Sequence, residues 1–146
     1  MIETGLRTWL LSQTAVISQL TGSGAEPVFI DDAPPNSREY ILISVTDGDY
    51  GNTVDPNDKT HRDLVDEEVD LDVKCETAGK ALRVGNLLLD ALFPEDSDNF
   101  TGTMGTREVE AVYLQDCKAG YEPPLNGETR GRHVNQITLR IHNRRA

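Results

Sequence analysis

Hydrophobic positions in the first part of the chain fall at helical spacing. Ile2, Leu6, Trp9, Leu10, Val16, Ile17 and Leu20 recur every three or four residues, which stacks them on one face of a helix. Glu3 lies in the first turn, where the helix dipole favours an acid, and Thr21-Gly22-Ser23-Gly24 supplies a stop. The pattern predicts one helix over 2–20. Val28-Phe29-Ile30 reads as a short strand, and Asp31-Asp32-Ala33-Pro34-Pro35-Asn36-Ser37 reads as a loop, because prolines remove donors and fix the chain. Residues 40–45 are almost continuously apolar, as in a strand buried on both faces.

The alternation is clearest in the middle of the chain. Val65, Val69, Leu71, Val73 and Cys75 interleave with Asp66, Glu68, Asp70, Asp72, Lys74 and Glu76, the period of a strand. One face is apolar except for Glu67. The other is charged, and burying unpaired carboxylates is prohibitive, so this row is expected to meet water, a solvated channel or a basic partner. Thr77 can cap a following helix. Ala78, Ala81, Leu82, Gly85, Leu88, Leu89 and Leu92 give that helix an apolar stripe, and Pro94 ends it. The tract 95–106 is polar and reads as loop. Further strands are predicted over about 108–117 and over 133–142, where His133, Asn135, Ile137, Leu139 and Ile141 alternate with Val134, Gln136, Thr138, Arg140 and His142.

Two segments resist packing on their own. Residues 46–63 are rich in Gly, Asp, Asn and Thr, with Tyr50 and Val54 as the only sizeable apolar side chains; 118–132 holds Pro123-Pro124 and Asn126-Gly127, with Tyr121 and Leu125. Loops this long in a small domain are usually functional or ordered by a partner. The architecture predicted is one domain over 1–146, an α+β fold with a mostly antiparallel sheet, two helices packed on one face and long loops.

Composition narrows the functional classes. Against 14 basic residues stand 25 acidic ones, a net charge of −11, so a free nucleic-acid binder with a basic footprint is not expected, nor is an anionic membrane surface as partner. No apolar run is long enough to span a bilayer. Cys75 and Cys117 have no CxxC or Cys/His company, which argues against zinc and for free thiols in a reducing cytosol.

Candidate chemistry is sparse. Asp70, Asp72 and Lys74 form a D-x-D-x-K strand that a Mg²⁺-dependent nuclease could use, carboxylates holding the metal and lysine stabilising charge. The spacing is common on solvated strands, and no upstream acid on a neighbouring strand can be assigned. Asp47-Gly48-Asp49 and Asp55-Pro56-Asn57-Asp58 do not follow the calcium-loop pattern and are explained by turn chemistry. His61, His133 and His142 are scattered. An acidic DNA mimic or regulatory binding protein would also fit the charge. No catalytic residue, metal or cofactor is expected.

The opening Met1-Ile2-Glu3-Thr4-Gly5-Leu6-Arg7-Thr8-Trp9-Leu10-Leu11-Ser12, the strand Tyr40-Ile41-Leu42-Ile43-Ser44, and the long alternating strand Val69-Asp70-Leu71-Asp72-Val73-Lys74-Cys75 running straight into Thr77-Ala78-Gly79-Lys80-Ala81-Leu82 together resemble the tail terminator (tail completion, minor tail) family of long-tailed bacteriophages. The resemblance covers nearly the whole chain as an order of elements and rests on soft patterns of residue type. The loops are long for the family, and an aromatic is common where Cys75 stands. The resemblance implies a virion structural subunit, assembled in the host bacterial cytoplasm, that forms a ring, usually a hexamer, on the head-proximal end of the tail tube. Such a ring ends tube growth and docks the head completion (connector) proteins, with DNA passing through its lumen. On that reading Tyr50, Val54, Tyr121 and Leu125 are expected at subunit or tube contacts. Arg140, Arg144 and Arg145 are expected against carboxylates of an adjacent subunit, and Asp66, Glu68, Asp70, Asp72 and Glu76 are expected to line the lumen.

Overall fold

The strand with the cleanest alternation sits at the middle of the sheet. A computed structural model describes residues 2–50, 65–94, 100–125 and 127–145. Their elements run α1 (Ile2–Leu11), α2 (Thr14–Ile17), β1 (Val28–Ile30), β2 (Tyr40–Tyr50), β3 (Val65–Cys75), α3 (Ala78–Leu92), β4 (Gly102–Met104), β5 (Arg107–Glu122) and β6 (Arg132–Arg145). One six-stranded sheet has the order β1-β2-β3-β6-β5-β4. Every pairing is antiparallel except β1 with β2. The α+β expectation, mostly antiparallel, is met.

Burial follows the alternation residue by residue. On β3, Val65, Val69, Leu71, Val73 and Cys75 are buried, and Asp66, Glu68, Asp70, Asp72 and Lys74 are half-buried. The apolar row meets Ile41 and Ile43 of β2 and Ile137, Leu139 and Ile141 of β6, and α1 and α3 cover it with Ile2, Leu6, Leu10, Val84, Leu88 and Leu92. Each fully buried aliphatic side chain of this kind contributes about 1.5–3 kcal/mol, and this layer is what holds the sheet against the helices.

The first helix is not continuous to residue 20. It stops at Leu11 and restarts as the single turn α2. Ser12 and Gln13 cause the break: their amides bond the Trp9 and Leu10 carbonyls three residues back, and the Ser12 hydroxyl also donates to Trp9 O at 2.6 Å, the local competition that makes such residues poor in helix interiors. The third helix begins as expected, with Thr77 accepting from the Lys80 amide.

Both segments read as long loops carry strand. β2 continues through Thr46 to Tyr50, paired with Val65–Glu68 of β3 after a register shift between Val45 and Asp47; Val54, the rest of that loop and the side chain of Tyr50 lie outside the described residues. β5 runs to Glu122 and pairs with β6 back to Arg132, so residues 118–122 are strand, and the connection is confined to 123–131. A three-residue strand, β4, lies inside the tract read as loop, and its Met104 is fully buried. It is held close to α1: a Cβ on Gly5 would lie 2.1 Å from the Met104 carbonyl oxygen, and Gly105 at φ +61° turns directly against Gly5. Glycine at position 5 lets the two backbones touch.

Candidate functional site

The sheet face turned away from the helices is a zipper of acids and donors. Asp66, Glu68, Asp70 and Asp72 on β3 stand opposite His142, Arg140, Thr138 and Gln136 on β6. Gln136 Nε2 donates to Asp72 at 3.0 Å, and Thr138 Oγ1 donates to Asp70 at 2.7 Å. Arg140 reaches Asp66 at 2.9 Å, Glu68 at 3.3 Å and Asp47 of β2 at 3.8 Å. His142 lies 3.4 Å from Asp66, its ring edge-on to Tyr113 of β5. The alternating polar row of β6 therefore matches the acidic row of β3 position by position.

Electrostatics vary along the row. Burial raises the Asp72 carboxyl above its ordinary value, assisted by the nearby Asp70 and Glu122 charges, and the Gln136 hydrogen bond and Lys74 charge only partly offset this. Lys74, 2.7 Å from Glu122 and beside the Tyr40 ring, is desolvated, yet the Glu122 hydrogen bond and the Tyr40, Glu122 and Asp72 charges together outweigh that and raise its pKa. Glu76 falls one residue past the strand, outside the row, and pairs with Arg38.

Of the other basic side chains, Arg144 bridges Glu108 and Glu110 of β5, each at 3.3 Å, and the side chain of Arg145 lies outside the described residues. The cations assigned to a neighbouring subunit, Arg140 and Arg144, are thus engaged within their own chain.

Asp70, Asp72 and Lys74 do share one face, as nuclease chemistry needs, but each is committed to a partner in the sheet. Among the described residues no group of three or more His, Cys, Asp or Glu side chains is placed to hold a metal ion. Cys75 is buried and Cys117 exposed, both free. Burial, with the Glu39 charge nearby, pushes the Cys75 thiol up to about 12, which leaves it inert.

A second feature is the outer half of β5. β4 pairs only with Arg107–Val109, so beyond residue 109 the outer edge of β5 meets no other strand among the described residues. From Tyr113 to Tyr121 every residue is exposed. Tyr113 (49%), Leu114 (46%), Tyr121 (59%) and the following Leu125 (60%) are four of the five large apolar side chains exposed among the described residues; the fifth, Leu82 (57%), borders the same region from α3. Tyr121 and Leu125, singled out in the sequence, are both here.

Glu39 was missed in the sequence. Almost fully buried, it accepts from the Thr21 hydroxyl at 2.7 Å, from the Glu76 amide at 3.1 Å and from Lys80 Nζ, tying the ends of α2, β2 and β3 to α3. A lone acid before an apolar strand gives no sequence signal of this. Burial raises its carboxyl, and the bonds from Lys80, Thr21 and Glu76 overcome that, holding it below its ordinary value.

No family model matches the chain. No curated protein matches it either. Among solved structures it is similar to a chain of one described as "Virion of native gene transfer agent (GTA) particle", at 17% identity and TM-score 0.44, over 90% of this chain and 93% of that one. No helix among the described residues is long and apolar enough to cross a membrane.

Proposed function

We propose that the chain is a structural virion subunit that assembles into a ring, a hexamer in the simplest case, on the head-proximal end of a phage tail tube. The ring ends tube polymerisation and offers its other face to the head completion protein, and genomic DNA passes through the lumen. The observation that carries this reading is the division of the sheet. One face is sealed by α1 and α3, and the other is a broad ion-paired surface whose side chains are engaged with one another rather than converging on a reactive centre. That is the construction of a wall. The order of elements, with an amphipathic helix first and the long alternating strand feeding α3, supports the same assignment through the family resemblance.

In this reading the β3 row faces the channel. Four carboxylates (Asp66, Glu68, Asp70 and Asp72) and one lysine make up that row, so phosphates passing it meet an excess of negative charge and keep their counterions, which denies the wall the affinity that counterion release would supply. Tyr121 and Leu125 stand at contacts between subunits or with the tube.

The test is a capping assay. Tube protein from the same genome is polymerised with and without this protein, and lengths are measured by electron microscopy. Short, end-decorated tubes with a ring at one end are expected. Tubes of unchanged length with no terminal density would overturn the proposal.

A further inference from the structure

The open edge of β5 is self-complementary. Charge along its exposed stretch is confined to Asp116 and Lys118, which flank Cys117. In a chain of net charge −11, two copies repel, and this neutral stretch is where they can approach at least cost. Consider β5 of one copy laid antiparallel to β5 of another about a two-fold axis through Cys117. Within one chain Lys118 Nζ lies 3.2 Å from Asp116 Oδ2, and Asp116 Oδ1 accepts the Cys117 amide at 2.8 Å. In the pair Asp116 of each copy also stands opposite Lys118 of the other, which joins the two pairs into one four-charge network, and the two Cys117 side chains face each other. Directly opposed residues have Cβ atoms about 4.5–5.5 Å apart, within reach of an ion pair.

The faces agree as well. Leu114, Cys117, Ala119 and Tyr121 stand opposite Leu139, Ile137, Asn135 and His133 of β6, so they lie on the helix side, while Asp116 and Lys118 lie on the other. On the helix side a shallow hollow is floored by Ala119 and Gly120 and walled by Ala81 and Leu82 of α3. Leu114 of the second copy comes opposite this hollow. Unpaired strand edges with exposed apolar neighbours are templates for association, and an isologous contact closes on itself rather than propagating.

We infer that two copies of this chain associate by antiparallel β5–β5 pairing centred on Cys117, joining their sheets through the Asp116–Lys118 pairs. This stands apart from the ring reading and does not depend on it.

The test uses the full chain with a short thiol-to-thiol cross-linker, helped by the inertness of Cys75. Wild type is expected to cross-link to a dimer through Cys117, and Cys117→Ser to abolish the product. Asp116→Lys and Lys118→Asp each create two like-charge pairs per dimer and should lower the dimer population roughly tenfold, measured by sedimentation. The double reversal, Asp116→Lys with Lys118→Asp, should restore it. Thermal melts confirm that each variant is folded. A monomer that never cross-links overturns the inference, as does a dimer indifferent to both single reversals, or a folded double reversal that stays monomeric. A ring lacking the Cys117 cross-link would reject the edge pairing and leave the capping proposal intact; a cross-linked dimer that does not cap tubes would do the opposite.

Discussion

Asn143 of β6 donates its side-chain amide to the Glu67 carboxylate at 2.9 Å, and both residues are wholly buried beside the start of α1. The same carboxylate oxygen accepts the backbone amide of Ile2 at 3.2 Å, one of the amides that a helix start leaves without an internal partner. Glu67 interrupts the apolar row of β3 because the helix end above it needs an acceptor. Its other oxygen has no hydrogen-bond partner among the described residues, so the replacement of this residue is informative.

Glu67→Ala should therefore destabilise the fold by about 2–4 kcal/mol, since it strands two buried donors and opens a cavity. Glu67→Gln, which keeps an acceptor for Ile2, should lose clearly less. Urea unfolding with an unchanged slope checks both; equal losses would mean that acceptance by the carboxylate is not what the site supplies.

Glu39 makes the fold acid-sensitive. Its folded pKa lies below the ordinary 4.5, so its contribution is complete above that value and is lost as pH falls through the depressed folded value. Glu39→Gln should be less stable than wild type at neutral pH, and the gap should close under acid. A gap independent of pH would refute the assignment.

Asp72 has the opposite sign. Its folded pKa is raised above 3.8, so the stability linked to its protonated form is present below that value and is lost as pH rises through the raised folded value. Asp72→Asn can still accept from Gln136 and should be as stable as wild type, or more so, at pH 7. Thermal midpoints decide; a clear loss would show that the charge supports the fold. If the midpoint rises, the carboxylate is kept at the expense of stability, as expected of a residue serving the surface.

How much of this was legible depended on which signal each residue left. β3 could be read in full because one of its faces is buried, and α3 because Thr77 and Pro94 mark its ends. The far half of β5 left no alternation: residues 113–121 are exposed on both faces, so Lys118–Glu122 looked like loop until seen against β6. β2 beyond Val45 was hidden likewise, its Asp47 and Gly48 resembling turn residues although laddered to Glu68 and Glu67. The charged row was visible from alternation alone. Its pairing was not, since Thr138 and Arg140 come from a strand about seventy residues away, and pairing at that range leaves no local trace.

Gly5 supplies a sharper packing test. Alanine there adds a Cβ 2.1 Å from the Met104 carbonyl oxygen, backbone that no rotamer change can clear. Although alanine favours helices by about 1 kcal/mol over glycine, overpacking costs about 1–3 kcal/mol or more. Gly5→Ala should thus be a net loss, with hydrogen exchange rising first in β4. A stabilised variant would mean that α1 and β4 are not in contact.

The channel hypothesis can be tested on the inner part of the β3 row. Asp66 and Glu68 hold Arg140, so reversing them would disturb the sheet as well as its charge. Among the described residues Asp70 and Asp72 bond the uncharged Thr138 and Gln136 across the ladder, and their side chains are half-exposed, so lysines there can extend outward. Asp70→Lys with Asp72→Lys removes two negative and adds two positive charges per subunit, repeated around a ring. If these side chains face the lumen, the ring should retain duplex DNA at low salt and release it as salt rises, because each lysine–phosphate contact displaces counterions. Screening over about 8 Å at physiological ionic strength confines the effect to side chains at the wall itself, so charges on the outer surface would slow DNA passage little. The same double reversal on the outer wall would bind DNA only from outside, leaving ejection rates unchanged. Folded, ring-forming variants that eject DNA at the wild-type rate would show that this strand does not line the channel.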